Sequence, residues 1–387
     1  MSELAVMSGA ASPAAHLVVS PVRSRKQRKQ FLMLPWKLYR GDPNWIPPLL
    51  AHQRELLNYK HHPFYDDAAI ETFVAYQNDE PVGRIAAIVN HAHNRRYGER
   101  RGFFGFFESI EDQAVADALL AAARQWWAEQ NVDTIRGPAN PSLNYEVGLL
   151  VDGFDSPPFF MMSYNKPYHE RLLEGCGLRK SQDLYAFWGH VDMLATLDDK
   201  IRYIGEQSAE RFNVRIRNLD PNHFAEDIEA FLDIYNRSLV ATWGFVPLSE
   251  GELKHMAMGL KRLIIPELTV FADIEGQTVG VAFCLPDYNS RIKEIDGRLF
   301  PFGFIKLLRN KRSIKRFRVL SANVIPEFQR WGLGIVLMGG LVPKVLEYGI
   351  QEAEFSWVLE SNTLSRATCE RAGAKLYKTY RMYDGEV

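Results

Sequence analysis

The 387-residue sequence has little cysteine, no long apolar run and almost no net charge. Its three cysteines, Cys176, Cys284 and Cys369, are too few for the disulfide framework of a secreted scaffold and suit a reducing cytoplasm. No apolar run reaches the length of a bilayer span. The formal net charge of −1 provides no basic excess for nucleic acid. We therefore expect a cytoplasmic protein that does not bind nucleic acid.

The N-terminal segment does not have the character of a signal peptide. Residues 1–18 are rich in Ala and Ser but lack a basic n-region and a long apolar core, which predicts a disordered leader. The length and the 47% hydrophobic content favour two domains with cores of their own. The histidine pairs His61/His62 and His91/His93 match no ligand spacing, so no metal site is predicted.

The most informative stretch lies near the C-terminus and predicts a strand, a short loop and a helix. Residues 319–325 are apolar and β-prone, and Pro326 ends the strand. Gly332 and Gly334 allow positive φ and a close approach of a ligand to the backbone at the start of the helix. The free N–H groups and the positive dipole end of that helix suit a pyrophosphate, and Arg330 adds a formal charge.

The pattern Gln329-x-x-Gly-x-Gly after an apolar strand resembles the acyl-CoA-binding motif of the GNAT superfamily of N-acetyltransferases. The resemblance implies an acyl-CoA co-substrate held by this loop. The predicted cofactor-binding residues are Val324, Ile325, Gln329, Arg330, Trp331, Gly332, Leu333, Gly334, Ile335 and Asn362. The next helix of the family carries Asn-x-x-Ala-x-x-x-Tyr-x-x-x-Gly. This chain has Asn362, Ser365, Cys369 and Gly373 at those spacings, so it departs from the family at the tyrosine.

The predicted elements follow the GNAT order twice, as a strand hairpin, a strand, a helix, a strand, a helix and a strand. Residues 172–185 also echo residues 368–377, which supports a tandem repeat. We predict an α/β (α+β) protein of two tandem GNAT-like domains, each a mixed, mostly antiparallel sheet flanked by helices. The predicted boundaries are 19–195 and 196–387.

The two halves differ where the CoA loop should lie. The first half has residues 107–112 there, with three acidic side chains and no glycine, so we predict that it does not bind CoA. Its distinctive feature is a proline-punctuated loop that carries Asn140, Ser142, Asn144 and Glu146. These residues are candidate acceptor-binding groups at a strand end, although Asn, Ser and Pro also favour self-capping turns. Both interpretations remain open.

Acylation of an amine by a thioester needs a polarised carbonyl, a neutral amine and a proton for the leaving thiolate. The resemblance implies polarisation by backbone N–H groups around Val324 and Ile325. Cys369 takes the place of the family's tyrosine acid, or it is a buried small hydrophobe. Tyr377 is the alternative acid on the last strand, where Tyr380 and Tyr383 are further candidates.

Asn323 and Glu360 are the candidates for holding a water or accepting the amine's proton. Glu360 is the best single base candidate because it lies at a strand end. A helix N-cap role beside Asn362 explains its position equally well.

Residues 291–318 form an insertion where a compact GNAT domain has only a turn. The segment has ten basic residues against two acidic ones, together with several aromatic and aliphatic residues. This composition predicts an interfacial element that would place the protein at the inner face of the membrane. A solvated loop over the core is the alternative.

The whole chain also resembles a family of bacterial tandem GNAT proteins related to bacterial ceramide synthases. The predicted function is therefore transfer of an acyl group from CoA to an amine, with a sphingoid base as the expected long-chain acceptor. Two alternatives remain. One is a non-catalytic acyl-CoA-binding module, and the other is a tandem-GNAT transferase that uses charged tRNA, against which the glycine loop counts. Acyl length, acceptor and oligomeric state stay open.

Overall fold

The computed structural model describes residues 16–196 and 199–387. The elements of the first half are β1 (Leu17–Pro21), α1 (Arg25–Leu38), α2 (Leu50–Leu56), β2 (Ala68–Gln77), β3 (Glu80–Asn90), α3 (His91–Tyr97), β4 (Arg101–Ser109), α4 (Gln113–Glu129), β5 (Thr134–Gly137), β6 (Ala139–Asn140), β7 (Glu146–Val147), β8 (Leu149–Asp152), α5 (His169–Gly175) and β9 (Arg179–His190). Leu17 and Val18 belong to the predicted leader but lie in β1, which pairs with β2. Residues 1–15 of the predicted leader fall outside the described residues, and His16 is described but belongs to no helix or strand.

The second half begins with a helix that follows the undescribed residues 197 and 198. Its elements are α6 (Asp199–Arg211), β10 (Arg215–Asn218), α7 (Phe224–Ser238), α8 (Glu250–Leu260), β11 (Thr269–Ile274), β12 (Gln277–Pro286), α9 (Asn289–Glu294), α10 (Gly303–Leu308), β13 (Arg316–Val324), α11 (Leu333–Tyr348), β14 (Glu352–Leu359), α12 (Thr363–Arg371) and β15 (Lys375–Glu386). The order matches that of the first half, so the prediction of two GNAT-like α/β repeats is confirmed.

Matching hairpins mark the repeat at the level of the backbone. The β2–β3 turn has positive φ at Asn78 and Asp79, and the β11–β12 turn has positive φ at Glu275 and Gly276. Two successive positive φ values characterise the tight hairpin turn whose twist matches that of the flanking strands. The same type of tight turn therefore connects the two strands of the hairpin in both halves.

The two halves exchange their closing strands. A 13-stranded sheet runs in the order β1-β2-β3-β4-β5-β15-β9-β14-β13-β12-β11-β10, with β8 beside β15. The last strand of the second half, β15, pairs with β5 of the first half, and β9 of the first half pairs with β14 of the second. The predicted boundary near residue 195 thus divides the chain in sequence but not in space. Because the two strands are exchanged, neither half has an unpaired strand edge where the halves meet.

Helices cover both faces of the sheet. In the second half, α11 packs on the face of β12 that carries Gly280, since a Cβ there would lie 3.1 Å from Leu337 of α11. Phe283 points to the other face, where its ring lies 5.3 Å from that of Phe231 in α7. Side chains three residues apart on a strand face opposite ways. The sheet therefore separates an α11 side from an α7 side, and this division organises the site.

One local prediction in the first half needs correction. Residues 107–112 do not form an acidic loop, because Glu108 and Ser109 belong to β4. Glu108 is buried, accepts a hydrogen bond from the Tyr39 hydroxyl at 2.8 Å and lies 3.8 Å from Arg84. The hydrogen bond from Tyr39 and the nearby positive charge of Arg84 stabilise this acidic side chain inside the fold.

Candidate active site

The site begins where β13 and β14 stop pairing. Their parallel ladder covers only Arg316–Val319 opposite Glu352–Phe355. Beyond it, β13 continues along β12 with one extra residue at Leu320, because Phe283 pairs with Ser321 while Cys284 pairs with Val319. A bulge bends a strand and increases its twist. The two strands therefore diverge and leave an opening through the sheet.

The antiparallel pairing with β12 decides which backbone groups face this opening. The Ile325 N–H donates to the Val279 carbonyl at 3.0 Å, so it is not free to polarise a substrate. This corrects the prediction for Ile325. Because successive N–H groups of a strand point to alternate sides, those of Val324 and Ala322 point away from β12 and towards the opening. The predicted polarising role for Val324 is therefore geometrically available.

The glycine loop lies at the α11 side of the opening. Residues Pro326–Trp331 form a 3-10 turn that ends at Gly332, which has a φ of 74° and is the N-cap of α11. The cap makes no side-chain hydrogen bond, so no side chain takes the N–H groups of Leu333 and Gly334, whereas the Ile335 N–H donates to the Gly332 carbonyl at 2.9 Å. A Cβ at Gly334 would meet nothing within 4 Å, which shows open space in front of the helix. The loop thus has the exposed N–H groups and the space that a diphosphate needs.

The other motif residues hold this loop in place or flank it. The Gln329 side-chain amide donates to the carbonyls of Val324 and Ser238, at 3.1 and 3.3 Å. Trp331 stacks on Phe212 with ring centroids 3.9 Å apart. Leu333 is fully buried, whereas Arg330 is exposed and lines the cavity described next.

Helix α6 packs along α11 beside the loop. A Cβ at Gly332 would lie 2.8 Å from the Ser208 hydroxyl oxygen and 3.2 Å from Ile204. A Cβ at Gly205 would lie 3.1 Å from Ile335. Gly332 therefore fits both a positive φ and a close helix contact, and Ile335 has a packing role against α6.

A single cavity of about 2070 Å³ connects the loop to the α7 side of the sheet. Small-molecule sites are usually roughly 300–1,000 Å³, so this cavity has room for two large ligands. Its walls include residues of both diverging strands beyond the ladder, from Ser321 to Asn323 and from Ser356 to Leu359. The cavity therefore passes through the opening.

The α7 side of the cavity is an apolar chamber. Its lining includes Phe231, Tyr235, Phe245, Leu253, Met256 and Leu260. The first half completes the wall with Leu143, Asn144 and Tyr145. Asn144 ties this wall to the second half, because its amide donates to the Val246 carbonyl at 2.9 Å and its oxygen accepts from the Tyr235 hydroxyl at 3.2 Å. An apolar chamber of this kind suits a hydrocarbon chain.

The other three members of the predicted acceptor loop lie away from the chamber lining. Asn140 accepts a hydrogen bond from the Phe106 N–H at 2.7 Å. It therefore lies in the first half, beside β4 beyond the end of the β4–β5 ladder. Ser142 accepts from the Asn144 N–H at 3.3 Å, which is self-capping turn chemistry. Burial raises the pKa of Glu146 to about 7, although the positive charge of Arg318 lowers that pKa in part.

The four predicted catalytic residues separate into two pairs. Asn323 and Cys369 line the cavity, and burial raises the pKa of the Cys369 thiol to about 11. Glu360 is not among the cavity-lining residues; it pairs with Lys180 at 3.0 Å and accepts from the Asp183 N–H at 3.3 Å. The cap of α12 is Asn362, whose side chain accepts from the Ser365 N–H at 3.0 Å, so Glu360 does not cap it.

Tyr377 belongs to a buried polar network beneath the opening. Its hydroxyl donates to Glu354, which also accepts from the Ser356 hydroxyl. Arg318 lies 3.6 Å from Glu354 and donates to Ser356 at 2.8 Å. Burial, followed by the charge of Glu354, raises the pKa of Tyr377 far above its usual range. Arg318 and Ser356 of this network line the cavity, whereas Tyr377 and Glu354 do not.

A row of polar side chains lies on the chamber floor, of which sequence reasoning named Asn323 but missed Ser321 and Thr269. Ser321 and Thr269 flank Phe283 in register, so all three share the α7 face. Within the described residues, the hydroxyls of Ser321 and Thr269 and the amide nitrogen of Asn323 are buried without a hydrogen-bond partner. The sequence signal was weak, because single polar residues in strands usually face solvent.

The comparisons with known proteins agree with this geometry. No family model matches the chain. A tandem GNAT protein from the clavulanic acid biosynthesis pathway superposes with a TM-score of 0.57 at 12% identity, over 96% of this chain and 98% of that one. At that identity the likeness shows the fold alone. With the open strand pair and the glycine loop, the chain has the architecture of a tandem GNAT fold.

Two curated proteins are similar over almost the whole length. Protein YghO of Escherichia coli (strain K12) is 35% identical over 370 residues, which cover 94% of each chain. Bacterial ceramide synthase of Caulobacter vibrioides (strain NA1000 / CB15N) is 34% identical over 380 residues, which cover 96% of this chain and 97% of that one. This chain belongs to the family that contains these two proteins.

Proposed function

We propose that this protein transfers an acyl group from acyl-CoA to the amine of a long-chain lipid acceptor. One observation carries the proposal: a single cavity joins the glycine loop to an apolar chamber through the gap between β13 and β14. CoA would lie on the α11 side with its diphosphate at the N-terminus of α11. The acyl chain and the acceptor would occupy the α7 side.

The backbone of β13 would polarise the thioester. The N–H groups of Ala322 and Val324 face the gap, where a thioester carbonyl would pass from one side of the sheet to the other. The amine would attack that carbonyl from the chamber, and CoA would leave as a thiolate. A thiol with a pKa of about 11 is protonated at neutral pH, so Cys369 can donate a proton to the leaving sulfur. The proton that the nitrogen loses as the amide forms would then restore the Cys369 thiol.

The acceptor would be an amine that also carries hydroxyl groups. The unpartnered polar atoms of Ser321, Thr269 and Asn323 need hydrogen bonds that the apolar wall cannot give. A relative of this chain is named bacterial ceramide synthase, which suggests a sphingoid base, an amino alcohol on a long chain. Such a molecule offers hydroxyl groups to the polar row and hydrocarbon to the chamber.

The test measures thiol release from acetyl-, octanoyl- and palmitoyl-CoA with sphinganine or hexadecylamine as acceptor. We expect the fastest release with the long acyl chain and sphinganine. Ser321→Ala should raise KM for sphinganine by about tenfold, the equivalent of one lost hydrogen bond, and leave KM for hexadecylamine unchanged. A matched control is Ser20→Ala, which changes a serine of β1 outside this cavity.

Two outcomes would contradict the proposal. Acyl-CoA binding without thiol release for any acceptor would leave an acyl-CoA-binding module. An equal change of KM for sphinganine and hexadecylamine in Ser321→Ala would show that the polar row does not recognise the hydroxyl groups of the acceptor.

A further inference from the structure

A second surface, outside the cavity of the proposed active site except for the shared residue Glu352, combines exposed aromatic rings with basic side chains. Of the 13 large apolar side chains exposed in the described part of the chain, four fall within residues 300–305. We call Phe300, Phe302, Phe304 and Ile305 the apolar tip. Phe300 and Phe302 are 76% and 70% exposed, and the rings of Phe300 and Phe304 lie 6.4 Å apart. Clustering of this kind marks an interaction surface.

The segment that carries the apolar tip is anchored to the protein by core packing and by hydrogen bonds. Leu307 of α10 is buried in the core of the second half, so α10 has an inner face as well as an outer one. The buried Arg291 donates to the carbonyls of Leu307 and Asn310, at 3.0 and 2.7 Å, and to the Ser313 hydroxyl at 2.8 Å. The aromatic rings are therefore presented on an anchored segment.

A basic cavity of about 750 Å³ adjoins the apolar tip. Its lining contains six basic side chains, Arg291, Lys293, Lys306, Arg309, Lys315 and Arg316, against three acidic ones, Asp287, Glu294 and Glu352. Lys306 follows Ile305 directly on α10, so the cavity and the tip meet at that helix. The excess of positive charge favours an anion.

Arg316 gives this cavity an unsatisfied donor. Its Nε is buried without a hydrogen-bond partner, since the nearest carboxylates, those of Asp287 and Glu352, both lie 3.7 Å away. Its guanidinium carbon also lies 4.0 Å from the centre of the Phe159 ring, which limits its approach to either acid. A phosphate oxygen would satisfy the donor.

We propose that the apolar tip and the basic cavity dock the protein on an anionic phospholipid surface. The rings and Ile305 would enter the acyl–headgroup boundary, and the cavity would take a lipid phosphate. Apolar burial joined to cationic attraction is the usual basis of peripheral membrane binding. Among the described residues, no helix is long and apolar enough to cross a bilayer. The inference goes beyond the proposed function and does not depend on it.

The test is co-sedimentation of the full chain with vesicles of phosphatidylcholine alone or of equimolar phosphatidylcholine and phosphatidylglycerol. We expect binding to the anionic vesicles only, weakening with salt. Phe300→Ser/Phe302→Ser and Lys306→Glu/Arg309→Glu should each lower the partition coefficient by about tenfold or more. The matched control is Val240→Ser/Met258→Ser, which removes two apolar side chains of similar exposure elsewhere.

The substituted phenylalanines are mostly exposed, so their variants should keep the thermal midpoint of the wild type. Absence of wild-type binding to anionic vesicles would overturn the proposal. So would unchanged binding of the Phe300→Ser/Phe302→Ser variant, or equal binding of the wild type to neutral and anionic vesicles. A protein partner in place of a membrane would give the first of these results.

Discussion

The two halves of the chain repeat one architecture but differ at the gap between the parallel strands. In the first half, β4 and β5 pair only over Arg101–Phe103 opposite Thr134–Arg136, and beyond this ladder the Phe106 N–H of β4 donates to the Asn140 side chain of β6. A Cβ at Gly105 would lie 2.0 Å from the Ala139 carbonyl oxygen, which shows that the chain fills the space beyond the ladder. In the second half the corresponding space is part of the cavity. A shared fold therefore does not imply a shared site.

The same contrast appears at the helix that follows each strand. Asp112 caps α4, and its carboxylate accepts from the Ala114 N–H at 2.9 Å. The N-cap of α11 is Gly332, which offers no side chain. A carboxylate at a helix N-terminus occupies the place that a phosphate would take. The first half thus uses its own acid and the Asn140 amide where the second half leaves room for a ligand.

The largest effect should come from giving the second half an acid of its own. Gly334→Asp fits the open space at the start of α11 and suits the helix dipole, so the fold should survive. We expect the affinity for CoA to fall roughly 100-fold, because like charges about 4 Å apart repel strongly near a surface. Calorimetric titration with CoA measures this.

The control for that variant is Gly259→Asp in α8. This glycine also has open space around it but is not among the cavity-lining residues. Its CoA affinity should match that of the wild type. Full CoA affinity in Gly334→Asp would show that the diphosphate does not lie at the N-terminus of α11.

The next effect concerns the residue that replaces the family's tyrosine. Cys369→Ala should lower kcat roughly 10- to 100-fold with little change in the KM for acyl-CoA, the low end for a lost general acid. Cys369→Ser keeps a proton donor and should recover part of kcat. Steady-state thiol release provides both constants. Equal kcat values for Cys369→Ala and the wild type would make Cys369 a packing residue.

A smaller effect should follow in the first half when its filled gap is opened. Asn140→Ala leaves the Phe106 N–H without its acceptor, which should lower the free energy of unfolding by about 2 kcal/mol. CoA affinity should not change, because that gap lies in the half without the glycine loop. Urea unfolding and calorimetric titration together test this. A parallel loss of CoA affinity would mean that the two gaps are coupled.

The smallest effect concerns the buried acid of the first half. Burial raises the pKa of Glu108 to about 7, against the opposing charge of Arg84. Because the folded pKa exceeds the unfolded one, the stabilisation is complete below about pH 4.5 and is lost as the pH rises through about 7. In Glu108→Gln, the fall in unfolding free energy between about pH 5 and pH 8 should shrink by about 1 kcal/mol. An unchanged fall would assign the pH dependence to other groups.

Local patterns were enough to predict most elements and the glycine loop. The pattern Gln329-x-x-Gly-x-Gly needs only neighbouring residues, since the turn, the open cap and the helix start are all short-range. The hairpins around Asn78 and Gly276 follow from turn chemistry in the same way. The roles of Tyr377 and Glu360 could not be predicted, because the orientation of each side chain depends on a strand from elsewhere in the chain.

The sequence by itself determined the repeat, its element order and the half that carries the glycine loop, because periodicity and glycine spacing act locally. Only the tertiary structure decided that β9 and β15 change places between the halves. The same is true of the open gap and of the chamber wall provided by Tyr145. Each of these depends on contacts between residues far apart in the chain, whose geometry no short pattern encodes.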